Sequence, residues 1–210
     1  MKIVSLILAR GGSKGIKNKN IKNLHGRPLI SYSIDASKRS RVDETWVSTD
    51  DKKIKSISLK NDALVIDRPA ELATDTSPSE DSLIHFTKNV DFDILVFLQP
   101  TSPLLKHTDI NNALELMNKY DSIFSGYKDH WLPRWNKNFK AINFDIAKRP
   151  RRQDVHPEYV ENGALYITKK DFLLKSRLRY SGKIGVYEMP FSRSFQIDNN
   201  DDFLLIEKII

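Results

Sequence analysis

The chain contains no cysteine among its 210 residues. Disulfides, a thiol nucleophile and a cysteine-ligated zinc site are therefore excluded. No apolar run approaches the roughly 20 residues of a membrane-spanning helix. The run at residues 3–9 is too short for the core of a secretory leader, and it leads into a motif instead of an Ala-x-Ala pattern. Internal repeats, low-complexity segments, linkers and nucleic-acid-module signatures are also missing. What remains is the composition of a soluble globular protein, 40% hydrophobic and 29% charged. Its length suits one α/β domain with a real core, and the cytoplasm is the expected compartment.

The charge balance is basic, with 34 Lys and Arg against 27 Asp and Glu, a net +7. Such an excess serves either nucleic acid or small anionic substrates. Here the basic residues are spread along the chain, with clusters at 10–22 and 148–152, and acidic residues stand among them. That distribution favours small anions over a duplex, so neither nucleic acid nor membrane is expected as a partner.

The first twenty residues, MKIVSLILARGGSKGIKNKN, carry the clearest chemistry. The run from Ile3 to Ala9 reads as a buried strand. Arg10 ends it, and Gly11, Gly12 and Ser13 form a small-residue turn followed by Lys14, Gly15, Lys17, Lys19 and Asn20. Bare backbone N–H groups, a hydroxyl and several cations in one loop meet the needs of a polyphosphate. The loop matches neither G-x-x-x-x-G-K-[ST] nor G-x-G-x-x-G, which argues against a P-loop and against a dinucleotide fingerprint.

Further along, residues 28–40 predict a helix, 44–50 a strand, 51–60 a helix and 63–67 a strand. This βαβαβ pattern is the unit of a doubly wound, mostly parallel sheet. Residues 68–79 form a loop rich in hydroxyls, 80–90 a helix, 93–100 the most apolar strand, 107–120 a helix and 121–127 another strand. From 128 to 160 periodicity fails, and Trp131, Trp135, Phe139 and Phe144 sit among basic residues. A stretch of that kind is either an interface or an irregular cover over the sheet edge. A strand and short helix over 163–176, a strand over 183–190, and a strand end, acidic turn and helix over 194–210 complete one domain, residues 1–210, with 128–160 as an excursion. Ligands of open parallel sheets lie beyond the carboxyl ends of strands. Arg10–Asn20, Ser48–Asp50, Arg68–Ser79 and Gln99–Pro103 all follow strands, so they should converge.

The segments LILARGGSKGIKNKNI, VSTDD, DRPAELATDTSPSED, LVFLQPTSPL, RRQDVHPEYVENGALYI and FQIDNNDDF occur in that order. Together they resemble the acylneuraminate cytidylyltransferases and their relatives for other nonulosonic acids, over nearly the whole chain. The resemblance implies a Rossmann-like nucleotidyltransferase fold with a dimerisation excursion. It implies transfer of CMP from CTP to the anomeric hydroxyl of an acidic nine-carbon keto-sugar, with Mg2+ as cofactor and a homodimer as the working form. Arg10, Gly11, Gly12, Ser13, Lys14, Lys19 and Asn20 match the triphosphate loop, with Arg10, Lys14 and Lys19 in the catalytic roles. Arg68 and Ser79 match cytosine-contacting positions. Gln99, with Thr101 and Ser102 beside it, matches a sugar contact, as do Arg152, Gln153, Asn162, Gly163 and Tyr166. Asp198 matches a metal ligand. One departure is Gln196, which stands where the family has the first aspartate of an Asp-Ile-Asp. One carboxylate has thus become a neutral amide, and the alternative is a non-catalytic or weakened CTP-binding paralogue.

Overall fold

The computed structural model describes all 210 residues. After β1 (Ile3–Leu8) the basic loop ends in a single 3-10 turn, and a short hairpin follows, β2 (Asn23–Leu24) and β3 (Arg27–Pro28). Then come α1 (Leu29–Lys38), β4 (Glu44–Thr49), α2 (Lys52–Lys60), β5 (Leu64–Asp67), α3 (Ser79–Asn89), β6 (Ile94–Leu98) and α4 (His107–Glu115). The second half adds β7 (Ser122–Asp129), β8 (Glu158–Lys169), α5 (Lys170–Ser176), β9 (Ile184–Glu188) and α6 (Asn200–Ile209).

Seven strands form one sheet in the order β5-β4-β1-β6-β8-β7-β9. β1 pairs in parallel with β4 and β6, β4 with β5, and β7 with β9, whereas β8 is antiparallel to both neighbours. The mostly parallel α/β sheet expected from the sequence is therefore present. Strand alternation divides its two faces. Ile7, Val47, Val96, Leu98 and Ile167 pack with Ile30, Ile34, Ile54 and Ile110 of α1, α2 and α4. Val4, Leu6, Leu95, Phe97 and Tyr166 pack with Leu83, Phe86 and Leu173 of α3 and α5. A third, smaller cluster joins Ile16 of the basic loop, Leu24, Leu29, Ile197, Phe203 and Ile206. It seats the first loop, the C-terminal segment and α6 on one another.

The structure redraws three boundaries. β8 begins at Glu158, ahead of the expected 163, because Asp129–Gly126 pair with Glu158–Glu161. The exposed polar residues there carry no alternation to reveal a strand. The irregular excursion consequently runs over 130–157. Its start and finish are zipped together, and inside it lies an isolated Trp135–Ala141 bridge. No strand forms over 194–199. Residues 191–193 make a 3-10 turn, and the segment then continues without regular structure to the cap of α6, where Asp202 accepts from Asn199 N and Asn199 Oδ1 from Asp202 N.

That C-terminal segment is held to α4 by a buried ion pair. Asp109 is 1% exposed and accepts from Lys106 N at 2.9 Å, from Tyr187 Oη at 2.9 Å and from both Arg193 amines. Removing one member of a buried pair leaves an uncompensated charge, which costs about 3 kcal/mol or more. Arg193→Met is expected to lower unfolding free energy by about that amount in urea titration, against near-neutrality for the exposed pair partner Arg39→Met.

Candidate active site

The four strand-end segments do converge. A cleft of about 580 Å3 is lined by Arg10, Ser13, Lys14, Gly15, Lys19 and Asn20 on one side, and by Arg68, Thr74, Asp75, Ser77 and Ser79 on another. Gln99 and Thr101 close it. A second compartment of about 490 Å3 contains Gln99 again, with Tyr127, Glu161, Asn162, Gly163, Tyr166, Phe195, Gln196, Asp198 and Asp202. Gln99 is thus common to both. The first compartment carries four cationic side chains and the second none.

The basic loop is held in place by contacts within the chain. Asn20 is 7% exposed and donates through Nδ2 to Arg10 O at 3.0 Å, tying the loop's end to its beginning. Gly11 N donates to Asp50 Oδ1 at 2.9 Å, so that donor is spent on the fold. Neither Gly11 nor Gly12 lines the cleft, and Gly12 takes the left-handed turn at φ +67. Gly15 is required by proximity, since a Cβ there would lie 2.8 Å from Asp198 O. Lys19 spans the gap to the C-terminal segment, donating to Ile197 O at 2.9 Å and to Asp198 Oδ1 at 3.2 Å.

Arg68 does not pair with its neighbour Glu71. It is 8% exposed and donates to Ser48 Oγ at 3.0 Å through Nε and to Ser48 O at 2.6 Å through Nη2. Burial lowers its pKa to about 10, so it stays charged at neutral pH while facing the cleft. Ser79 opens α3, whose first turn has no side-chain cap and borders the same space through Pro78, Ser79 and Ser82.

Across the cleft, Asp75 bridges two of the loop's cations. Its Oδ1 lies 2.6 Å from Arg10 Nη2 and its Oδ2 lies 2.5 Å from Lys14 Nζ. The Lys14 and Arg10 hydrogen bonds hold its pKa below the usual carboxylate range. No sequence motif singled Asp75 out. Its signal was only a carboxylate in the hydroxyl-rich loop after β5.

In the second compartment, Asn162 and Gly163 lie where β7 moves from Phe124 to Gly126 while β8 moves back from Tyr166 to Glu161. Asn162 Oδ1 accepts from Ser125 Oγ at 2.6 Å and from Ala164 N at 3.1 Å, and its Nδ2 donates to Ser194 Oγ at 3.0 Å. Gly163 has φ +67, and the side-chain amide of Gln196 packs directly against its Cα. That amide donates to Asn162 O. Gln196 and Asp198 both line the compartment, with Ile197 buried between them, so the two keep a common side although this stretch belongs to no strand. Tyr166 is at once strand core and site. It is 3% exposed and stacks on Phe97 at 5.4 Å, while its hydroxyl reaches Glu161.

Besides Gly11 and Gly12, three more expected contacts lie outside both compartments, and Thr101, expected at the sugar, lines the cationic cleft instead. Ser102 is buried under the turn after β6, with its Oγ unpartnered, and lines neither compartment. Arg152 and Gln153 are exposed on a 3-10 turn of the excursion, outside both compartments of their own chain.

A family model described as Cytidylyltransferase matches residues 4–209. N-acylneuraminate cytidylyltransferase A of Danio rerio is 40% identical over 98% of this chain, and 50% of that protein is matched. The N-acylneuraminate cytidylyltransferase of Streptococcus agalactiae serotype III is 34% identical over 97% of this chain and 52% of its own. The chain therefore spans about half the length of these curated relatives. Post-translational flagellin modification protein B of Campylobacter coli, 32% identical, is matched over 94% of its length and 99% of this chain. Among solved structures, a CMP:2-keto-3-deoxy-manno-octonic acid synthetase complexed with CTP superposes with a TM-score of 0.75 at 19% identity, covering 100% of this chain and 98% of that one. A 4-diphosphocytidyl-2C-methyl-D-erythritol synthase from Anaerococcus prevotii gives 0.71 at 15% identity, covering 99% and 97%. These two likenesses establish the fold alone, a Rossmann-like α/β architecture.

Asp75 competes with any anion that approaches Arg10 and Lys14. Asp75→Asn is expected to tighten binding of inorganic triphosphate several-fold at low ionic strength in calorimetry. The gain should shrink at 1 M salt, where the Debye length falls to about 3 Å.

Proposed function

Because this chain belongs to the cytidylyltransferase family, we propose that it transfers CMP from CTP to the anomeric hydroxyl of an acidic nine-carbon keto-sugar, releasing pyrophosphate. The observation that carries this reading is the pair of compartments meeting at Gln99, one cationic and one lined by amides, carboxylates and aromatics. The triphosphate takes the first, against Arg10, Ser13, Lys14 and Lys19, with cytosine toward Arg68 and the start of α3. The sugar takes the second. Its hydroxyl oxygen attacks the α-phosphorus, the bridging Pα–O bond breaks, and pyrophosphate leaves with the electron pair. The protein's work is positioning and charge neutralisation by Arg10, Lys14 and Lys19.

The residues present fit Mg2+. No group of three or more carboxylates or histidines is placed to hold a metal ion by itself, but Asp198, paired with Lys19, and the Gln196 side-chain oxygen both line the second compartment and supply hard oxygen donors. Mg2+ needs little more from a protein when substrate phosphates and water complete its shell. When bound, it would neutralise charge on the phosphates.

The second compartment has no cation of its own for a sugar carboxylate. The excursion exposes Trp135, Phe139, Ile142 and Ile146 together with Arg149, Arg151 and Arg152. A homodimer in which this arm covers the partner's sugar compartment supplies both burial for the apolar side chains and the missing positive charge. No helix is long and apolar enough to cross a membrane, and the proposed compartment is the cytoplasm.

Pyrophosphate release from CTP and Mg2+ should occur only when a nonulosonic acid is supplied, in a panel of acidic keto-sugars and nucleotides. Lys14→Ala should abolish most turnover while circular dichroism stays unchanged. Retained activity would place the triphosphate elsewhere. CTP binding without turnover for every sugar would favour a binding paralogue, with Gln196→Asp as the restoring substitution.

A further inference from the structure

We propose that Glu161 is the proton acceptor for the attacking sugar hydroxyl, an inference that rests on the transfer reaction proposed above. The second compartment holds three carboxylates, Glu161, Asp198 and Asp202, and two of them are committed. Asp198 lies 3.2 Å from the Lys19 ammonium. Asp202 accepts from Asp198 N at 2.8 Å and Asn199 N at 3.0 Å as the cap of α6. Glu161 pairs with no cation and no backbone N–H. One of its oxygens accepts from Tyr166 Oη, and the other has no partner within the chain.

The Tyr166 hydroxyl is a fixed donor. Its ring is buried against Phe97, the Arg179 guanidinium lies 5.0 Å from its centre and 5.6 Å from that of Phe97, and Arg179 is itself held bidentately by Glu80 at 2.6 and 3.1 Å. Burial, and then the neighbouring Glu161 charge, raise the tyrosine pKa, so it donates throughout the neutral range. The backbone of Glu161 is fixed by pairing with Gly126 in the sheet. An acceptor oriented by a second group, with one oxygen open to the space where the nucleophile sits, is the arrangement general-base catalysis requires. Gln99 borders both this space and the triphosphate cleft, and Glu161 lines the compartment in which the attacking sugar would sit.

The step balances. The sugar O–H bond breaks as the O–Pα bond forms, the proton passes to the free Glu161 oxygen and then to solvent, and pyrophosphate departs with the electrons of the Pα–O bond. Asp198 is unsuited, because proton transfer there would sacrifice its pairing with Lys19.

Glu161→Gln tests this directly, since the amide keeps an oxygen for Tyr166 and loses only the proton affinity. We expect kcat to fall about 100-fold or more, the range of a lost general base, with KM for sugar and for CTP essentially unchanged. Tyr166→Phe should lower kcat by a smaller factor, and Glu161→Asp should lie between wild type and Gln. Raised sugar KM with intact kcat would make Glu161 a binding residue and overturn the proposal, as would full activity of Glu161→Gln. A wild-type protein silent with every sugar would instead overturn the transfer reaction itself, and this inference with it.

Discussion

The site depends on a small apolar cluster that contains no catalytic group. Ile16, from the middle of the basic loop, packs with Ile197, from the irregular segment near the C-terminus, and with Leu24, Leu29, Phe203 and Ile206. Burying such side chains contributes roughly 1.5–3 kcal/mol each. That contribution offsets the cost of holding Lys14, Lys19 and Arg10 close together. The cluster also brings residues 10–20 against 196–198, which no local interaction could do. Gly15 sits against the Asp198 carbonyl with no room for a Cβ, and Lys19 completes the join.

Charge is sorted by compartment. Arg10, Lys14, Lys19 and Arg68 face the larger cleft, and Glu161, Asp198 and Asp202 face the smaller one. Each cation is already stabilised from behind or across. Arg68 is held by Ser48, Lys19 by Ile197 O and Asp198, and Arg10 and Lys14 by Asp75. Such fixed charges need little reorganisation when a phosphate replaces the protein partner. Asp75, carried on the loop after β5, is the counter-ion to two of these cations.

Much of this was legible in the residues. The apolar runs of β1 and β6, the polar ends of β1, β4, β5 and β6, and the loop from Arg10 to Asn20 all rest on local pattern. Tertiary pairing hid the rest. The start of β8 at Glu158 has no alternation, because those residues sit exposed at the neck of an excursion. Asn162 and Gly163 are polar and flexible by type, but their role in the irregular β7–β8 pairing depends on Ser125 across the sheet. Ser102 shares the turn with Thr101, yet the turn's direction buries one hydroxyl and opens the other.

The sequence by itself determined the fold class, the family and the cationic loop, because apolar runs, strand-end polarity and ordered motifs are properties of neighbours along the chain. Only the tertiary structure decided which charges are free to act. That Gly11's N–H is spent on Asp50, that Asp75 spans Arg10 and Lys14, and that Glu161 alone among three carboxylates pairs with neither a cation nor a backbone N–H are facts of pairing between residues far apart in sequence. Hydrogen bonds and ion pairs act over a few ångströms. Their partners are chosen by the packing of the sheet, the loop and α6, and no window of sequence contains that choice.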